Sequence, residues 1–148
     1  MKKLLFILFF GAGFLATEAS AQSTSTQSNK PLNIAKWVDA HFAKGKVPPF
    51  SFTYGGTPSK AFITQWKYRR TPLAAGEQGG EKARFSYSDP KSGLEVVCDV
   101  TWYADFDAAE WVLYFRNHGD ANSAEIADVK DADVRFLFPK GGISTLYS

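Results

Sequence analysis

The chain has 148 residues, of which 17 are basic and 15 acidic, and its formal net charge is +2. So small a charge gives no electrostatic footprint for nucleic acid or for an anionic membrane surface. Cys98 is the one cysteine of the sequence, which excludes an intrachain disulfide. We expect Cys98 to be a buried and unreactive thiol.

Residues 1–21 predict a signal peptide. Lys2 and Lys3 form a basic start, residues 4–15 are mainly apolar, and Ala19-Ser20-Ala21 is a typical cleavage site. The apolar run is shorter than the roughly 18 residues that a membrane-spanning helix needs. We therefore expect an exported chain, periplasmic or secreted, that is cleaved after Ala21 and has no membrane span. Cleavage removes two of 17 basic and one of 15 acidic residues, which leaves a net charge of +1.

A flexible leader and then a short helix are expected to open the mature chain. Residues 22–30 are polar and rich in Ser and Thr, without periodicity. Apolar and aromatic side chains then recur with helical spacing at Ile34, Trp37, Val38, His41 and Phe42. Asn33 is the predicted N-cap and Gly45 the predicted stop.

Alternating and turn-forming segments follow the helix. Residues 50–54 predict an extended segment that ends in a Gly55-Gly56 turn, and residues 62–70 alternate weakly and predict a strand. Residues 71–82 contain three glycines and a proline, and they predict a loop.

The clearest predicted element is a β-hairpin. Phe85 and Tyr87 belong to its first arm, residues 89–93 form the turn, and residues 94–103 alternate cleanly as a half-buried strand. Residues 110–117 repeat the alternation, and a further strand is expected at Val134, Phe136 and Phe138. The predicted core consists of Trp111, Leu113, Phe115, Val96, Cys98 and Val100.

These elements predict an all-β fold, an antiparallel β-sandwich with one short N-terminal helix. Hairpin-length connections and the absence of crossover helices argue against a parallel α/β sheet. About 127 mature residues allow one domain with a modest core, assigned to residues 31–148.

Few residues suggest chemistry. Asp105, Asp107 and Glu110 form the one carboxylate cluster worth testing, but a solvated turn explains it better than an acid/base pair. We predict no catalytic residue, no metal site and no cofactor. Aromatic residues make up 16% of the sequence, and exposed rings stack on the C–H faces of sugars. Tyr103, Trp66 and Trp102 are the candidates for carbohydrate binding, although the strand alternation also favours a core position for Trp102.

Two stretches of sequence resemble one known family. The first is PPFSFTYGGTPSKAFITQW and the second is YSDPKSGLEVVCDVTWYADFDAAEWVLYFRN. In order and spacing they are similar to the N-terminal β-sandwich domain of glycoside hydrolase family 36-type α-galactosidases, over about residues 44–146. In that family the domain precedes a (β/α)8 barrel that carries both catalytic carboxyl groups, and neither group maps onto a position here.

The resemblance implies an incomplete N-terminal domain of an α-galactosidase-like enzyme, inactive by itself. It also implies α-galactosides as ligands of the full-length enzyme. Two alternatives stay open: a small secreted carbohydrate-binding module, and an interaction protein that pairs or self-associates through an uncovered sheet edge. A row of exposed aromatic rings would favour the first alternative, and a long open edge would favour the second.

Overall fold

The computed structural model describes residues 4–8, 33–76 and 79–134 of the chain. One α-helix, α1, covers Ile34–His41. The strands are β1 (Leu4–Leu8), β2 (Ser51–Tyr54), β3 (Thr57–Pro58), β4 (Lys67–Leu73), β5 (Glu81–Ser88), β6 (Leu94–Tyr103), β7 (Ala108–Asn117) and β8 (Ile126–Lys130). Short 3-10 helices occupy Ser59–Ala61, Ile63–Gln65 and Ala104–Phe106.

The strands form two antiparallel sheets. The larger sheet has the order β1-β7-β6-β5-β4, and the smaller has the order β3-β2-β8. Strands β4 to β7 follow one another in sequence and in space, so this part of the large sheet is a meander. The predicted all-β, sandwich-like fold with one helix is confirmed.

One face of the large sheet carries the core. The register places Phe85 opposite Cys98, and Cys98 opposite Leu113, so these side chains form one row across three strands. The next row includes Val100 opposite Trp111. All five side chains are buried, as expected where successive apolar residues of paired strands share a face.

The helix and the small sheet cover this apolar face. Phe42, which caps α1, stacks on Phe85 with ring centroids 4.8 Å apart. Phe52 of β2 meets Phe115 of β7 edge-on at 5.2 Å. The buried side chains of α1, β2 and the large sheet therefore belong to one continuous core.

Strand β6 is also mostly buried on the opposite face of the large sheet, which corrects the prediction that β6 is only half-buried. Val97 on this face is completely buried, between its cross-strand neighbours Ser86 and Tyr114. The Arg84 guanidinium makes two hydrogen bonds to the Asp99 carboxylate, at 2.7 and 2.8 Å. The Arg84 side chain thus lies along β6 on the face where alternation predicts exposure.

The helix begins as predicted but ends earlier. The Asn33 side-chain oxygen accepts a 3.0 Å hydrogen bond from the Lys36 N–H, as an N-cap should. The C-cap is Phe42, and Gly45 follows in the connecting turn with φ of +76°. In the described part of the chain, no helix has both the length and the apolar character to cross a membrane.

Other boundaries differ from prediction. Residues 62–66 are largely 3-10 helix, and the strand predicted at 62–70 begins only at Lys67. Strand β4 then runs to Leu73 and β5 starts at Glu81, which shortens the predicted loop from both ends. Strand β8 was not predicted. Val134 lies outside any strand, and residues 136 and 138 of that predicted strand lie outside the described residues.

Part of the predicted signal peptide has a place in the large sheet. Strand β1 pairs with β7 in the register Leu4 to Leu113 through Leu8 to Ala109. The predicted cleavage site and the predicted leader at residues 22–30 lie outside the described residues.

Candidate functional site

A surface pocket of about 360 Å³ lies at the end of the large sheet where β5 turns into β6. Its lining comes from two places, the segment from the end of β2 to Trp66 and the β5–β6 turn. The lining residues are Tyr54, Thr57, Phe62, Gln65, Trp66, Asp89, Pro90 and Lys91. The volume is at the small end of the range of roughly 300–1,000 Å³ typical of small-molecule sites.

Three aromatic rings form one side of the pocket. Trp66 and Phe62 stack with centroids 4.9 Å apart and planes 25° apart. Tyr54 meets Phe62 and Trp66 edge-on, each at 6.3 Å. Trp66 is only 9% exposed, whereas Tyr54 and Phe62 are half-buried. The rings therefore present a fixed apolar wall, because each is held by the other two.

Polar groups face this wall from the β5–β6 turn. The Asp89 carboxylate accepts hydrogen bonds from the Lys91 N–H at 3.1 Å and from Ser92 Oγ at 2.6 Å. Burial raises the pKa of Asp89, but these hydrogen bonds outweigh burial and hold the pKa below its usual value. Asp89 is therefore an ionised acceptor at neutral pH, with lone pairs left for further donors.

Close packing fixes the position of the turn. Gly93 has φ of +76°, and a Cβ built on it would lie 2.6 Å from the Gly119 nitrogen. The His118 N–H donates to the Gly93 carbonyl at 2.9 Å. Only glycine satisfies both the backbone conformation and this approach, so the turn is locked against the loop that follows β7.

A buried serine fixes the aromatic wall. Ser59 is buried, and its Oγ accepts a 3.2 Å hydrogen bond from the Phe52 N–H of β2. This contact ties the first 3-10 helix to the small sheet. The rings of Phe62 and Trp66, which follow directly, are therefore carried on a braced segment instead of a free loop.

The three predicted sugar-binding residues are not brought together. Trp66 lies in the pocket. Trp102 is only 5% exposed and points into the core, so it offers no ring to a ligand. Tyr103 follows it on the other face of β6, where its hydroxyl donates to Glu110 at 3.0 Å. Both lie at the far end of β6 from the β5–β6 turn.

The predicted core residues occupy the interior. Val96, Cys98 and Val100 are fully buried, and Trp111 and Leu113 nearly so. Phe115 is partly buried and packs against the same core. Burial raises the pKa of the Cys98 thiol well above its ordinary value, so the thiol is protonated.

The carboxylates of the Asp105–Glu110 segment have separate structural roles. Asp107 has φ of +47° and accepts a 3.4 Å hydrogen bond from the Ile34 N–H at the start of α1. Glu110 accepts from Tyr103, and Asp105 is exposed on the 3-10 turn. Across the described ranges, no three His, Cys, Asp or Glu side chains are grouped so that they could hold a metal ion.

Sequence reasoning missed most of the pocket. Asp89, Pro90 and Lys91 were interpreted only as a turn, and Tyr54 and Phe62 only as parts of strands. The signal in the sequence was the turn Tyr54-Gly55-Gly56 followed by two aromatic residues four positions apart, Phe62 and Trp66. This pattern indicates a possible aromatic surface, but it does not reveal which turn of the chain lies opposite the rings.

Comparisons with known proteins provide no further identification. Protein-family models, curated proteins and solved structures yielded no significant match to the chain.

Proposed function

We propose that this chain is a non-catalytic β-sandwich domain of the α-galactosidase-like glycoside hydrolase type, and that its pocket binds carbohydrate. One observation carries the proposal. All eight pocket residues come from the two stretches of sequence that resemble the N-terminal domain of family 36-type α-galactosidases. Residues 54–66 belong to the first stretch and residues 89–91 to the second.

The chemistry of the pocket fits a sugar. The half-buried rings of Phe62 and Tyr54, packed against the nearly buried Trp66, offer an apolar surface for the C–H face of a pyranose. The Asp89 carboxylate, the Gln65 amide and the Lys91 ammonium offer acceptors and donors for ring hydroxyls. This mixture of an apolar wall with a few polar groups is typical of small-molecule sites.

A non-catalytic role is supported by the use of the carboxylates near the β6–β7 turn. A retaining glycosidase needs two carboxyl groups roughly 5–5.5 Å apart on either side of the scissile bond. Here Asp107 accepts from a backbone N–H of α1 and Glu110 accepts from Tyr103. Neither lines the pocket that contains the rings.

The test combines an activity assay with a binding assay on the exported protein. We expect no hydrolysis of p-nitrophenyl α-galactoside, and we expect binding of melibiose or raffinose in calorimetry. Gln65→Ala and Lys91→Ala, both at exposed positions, should weaken binding while Tyr103→Ala leaves it unchanged. Hydrolysis that disappears in Glu110→Gln would overturn the non-catalytic assignment.

A standalone carbohydrate-binding module is the second candidate, and the pocket favours it equally. The two candidates differ in ligand. Binding of β-glucans or xylans by the same pocket, without binding of α-galactosides, would support a standalone module over an α-galactosidase-like domain. Both candidate functions would be refuted if the Gln65→Ala and Lys91→Ala variants bound each sugar as tightly as the wild-type protein.

A further inference from the structure

The two edges of the large sheet differ in their protection against further pairing. At one edge, β4 exposes Lys67, Arg69 and Arg70 and also contains Pro72. Charged side chains and proline on an edge strand are the usual defence against pairing with another chain. Strand β4 is therefore built to remain an edge.

The other edge, at β7, is less protected. Strand β7 has the sequence AAEWVLYFRN, which contains two charged residues of opposite sign, Glu110 and Arg116, and no proline. In the described part of the chain it pairs on this side with β1, over Ala109–Leu113. Strand β1 lies within the predicted signal peptide, so cleavage after Ala21 removes it. Among the residues that the structure describes, β1 is the partner of this edge, so its removal would open the edge for pairing.

We propose that in the mature protein this edge pairs with β7 of a second copy of the chain, giving a two-fold symmetric dimer with one continuous sheet across both copies. Antiparallel pairing of two identical strands is self-complementary about a central residue, as an isologous interface requires. The register centred on Leu113 is favoured by charge.

That register places opposite charges together twice. With Leu113 opposite Leu113, antiparallel pairing sets Glu110 of one copy opposite Arg116 of the other, and the symmetry repeats the pair. Both residues are on the outer face of the sheet, since Glu110 pairs with Thr101 and Arg116 with Glu95. Directly opposed charges on neighbouring strands stabilise pairing, and like charges destabilise it.

Arg116 is available for this contact. Its side chain is 37% exposed, and Nη1 lies 4.0 Å from the Glu95 carboxylate, which is at the outer limit for an ion pair. The Glu95 carboxylate is closer to His118, whose Nε2 lies 2.9 Å away. The guanidinium can therefore turn towards a partner strand without breaking a short hydrogen bond.

Charge reversal at Glu110 and Arg116 tests the register. If each variant loses the dimer only through repulsion, mixing the two variants should restore it, whereas variants that had lost their fold would not be restored by mixing. The protein is expressed with its leader, purified from the periplasm, and its N-terminus is verified by mass spectrometry. Sedimentation equilibrium should give a dimer. Glu110→Arg alone and Arg116→Glu alone each create two like-charged pairs and should weaken self-association about tenfold or more.

An equimolar mixture of the two variants should restore the dimer, because each variant then faces opposite charges at both positions. Circular dichroism checks that each variant is folded, and Lys67→Glu on the β4 edge is the matched control that should leave association unchanged. A monomeric mature protein overturns the proposal, and so does an exported protein that retains its leader. The proposal is also refuted if neither charge reversal weakens self-association, or if the equimolar mixture stays monomeric. Either result would mean that β7 does not pair with β7 of a second copy in this register.

Discussion

Replacement of Trp111 by alanine should remove a large part of the stability of the fold. Trp111 is 1% exposed on the inner face of β7. Its ring lies 6.1 Å from the Trp37 ring of α1 and 6.0 Å from the Phe42 ring. Its Nε1–H donates a 2.7 Å hydrogen bond to the Asp131 carbonyl, just after β8. Trp111 therefore joins the helix, the large sheet and the segment that leaves the small sheet.

The expected loss can be divided into two parts. Truncation of a buried large aromatic side chain to alanine costs about 3–5 kcal/mol through lost burial and the cavity that remains. The carbonyl of Asp131 also loses its partner, which costs about 1–3 kcal/mol if water cannot reach it. Since natural domains are stable by only about 5–15 kcal/mol, the alanine variant should be close to unfolding.

Urea unfolding followed by far-UV circular dichroism measures the loss. Trp111→Phe keeps most of the ring but not the N–H, so it should lose less than half as much and remain measurable if Trp111→Ala does not fold. Val47→Ala, at a 50% exposed position, is the control and should change stability by less than about 0.5 kcal/mol. A loss below about 1 kcal/mol in Trp111→Ala, with an unchanged urea dependence, would refute the assignment of Trp111 to the core.

Three further predictions concern the turn, the thiol and the outer face. The pKa of Asp89 is lower in the folded state than its ordinary value of 3.8. Ionisation of Asp89 therefore stabilises the fold at pH values above 3.8. This contribution to stability is lost as the pH falls through the pKa of the folded state. The stability difference between wild type and Asp89→Asn, measured by urea unfolding at several pH values, should therefore be constant above about pH 5 and shrink below about pH 4. A difference that stays the same at every pH would contradict this role of Asp89. Cys98 should resist Ellman's reagent in the native protein and react with one equivalent in urea, and rapid native labelling would contradict its burial. A double-mutant cycle of Arg84→Ala and Asp99→Ala should give a coupling free energy of about 1 kcal/mol. The coupling should fall in high salt, because both side chains retain some exposure to solvent. A coupling of zero would contradict a stabilising ion pair and would leave the two side chains only a role in covering β6.

The sequence predicted the elements whose pattern is local. Residues 94–103 alternate over the whole of β6, residues 110–117 predict most of β7, and Asn33 stands where a helix N-cap is expected. Strand β8 was missed because its five residues are mostly exposed, and its pairing with β2 is interrupted by a register shift. A short edge strand of this kind leaves little periodicity in the sequence.

The burial of both faces of β6 and the existence of the pocket could not be read from local pattern. Val97 is completely buried on the outer face, between Ser86 and Tyr114 of the adjacent strands, and alternation along one strand does not report such neighbours. The pocket depends on two segments more than twenty residues apart in sequence, one around Trp66 and one around Asp89, which meet only in the folded chain. Tertiary contacts therefore decided both features.

Ligand titration followed through the four indole N–H signals in a ¹H–¹⁵N NMR spectrum tests the proposed function most directly. The chain has four tryptophans, and only Trp66 lines the pocket. Addition of melibiose or raffinose should shift the Trp66 signal in a saturable manner and leave those of Trp102 and Trp111 unchanged. Sucrose, which lacks galactose, is the control sugar. A Trp66 signal that stays fixed while the protein binds sugar, or the absence of any binding, would contradict the account.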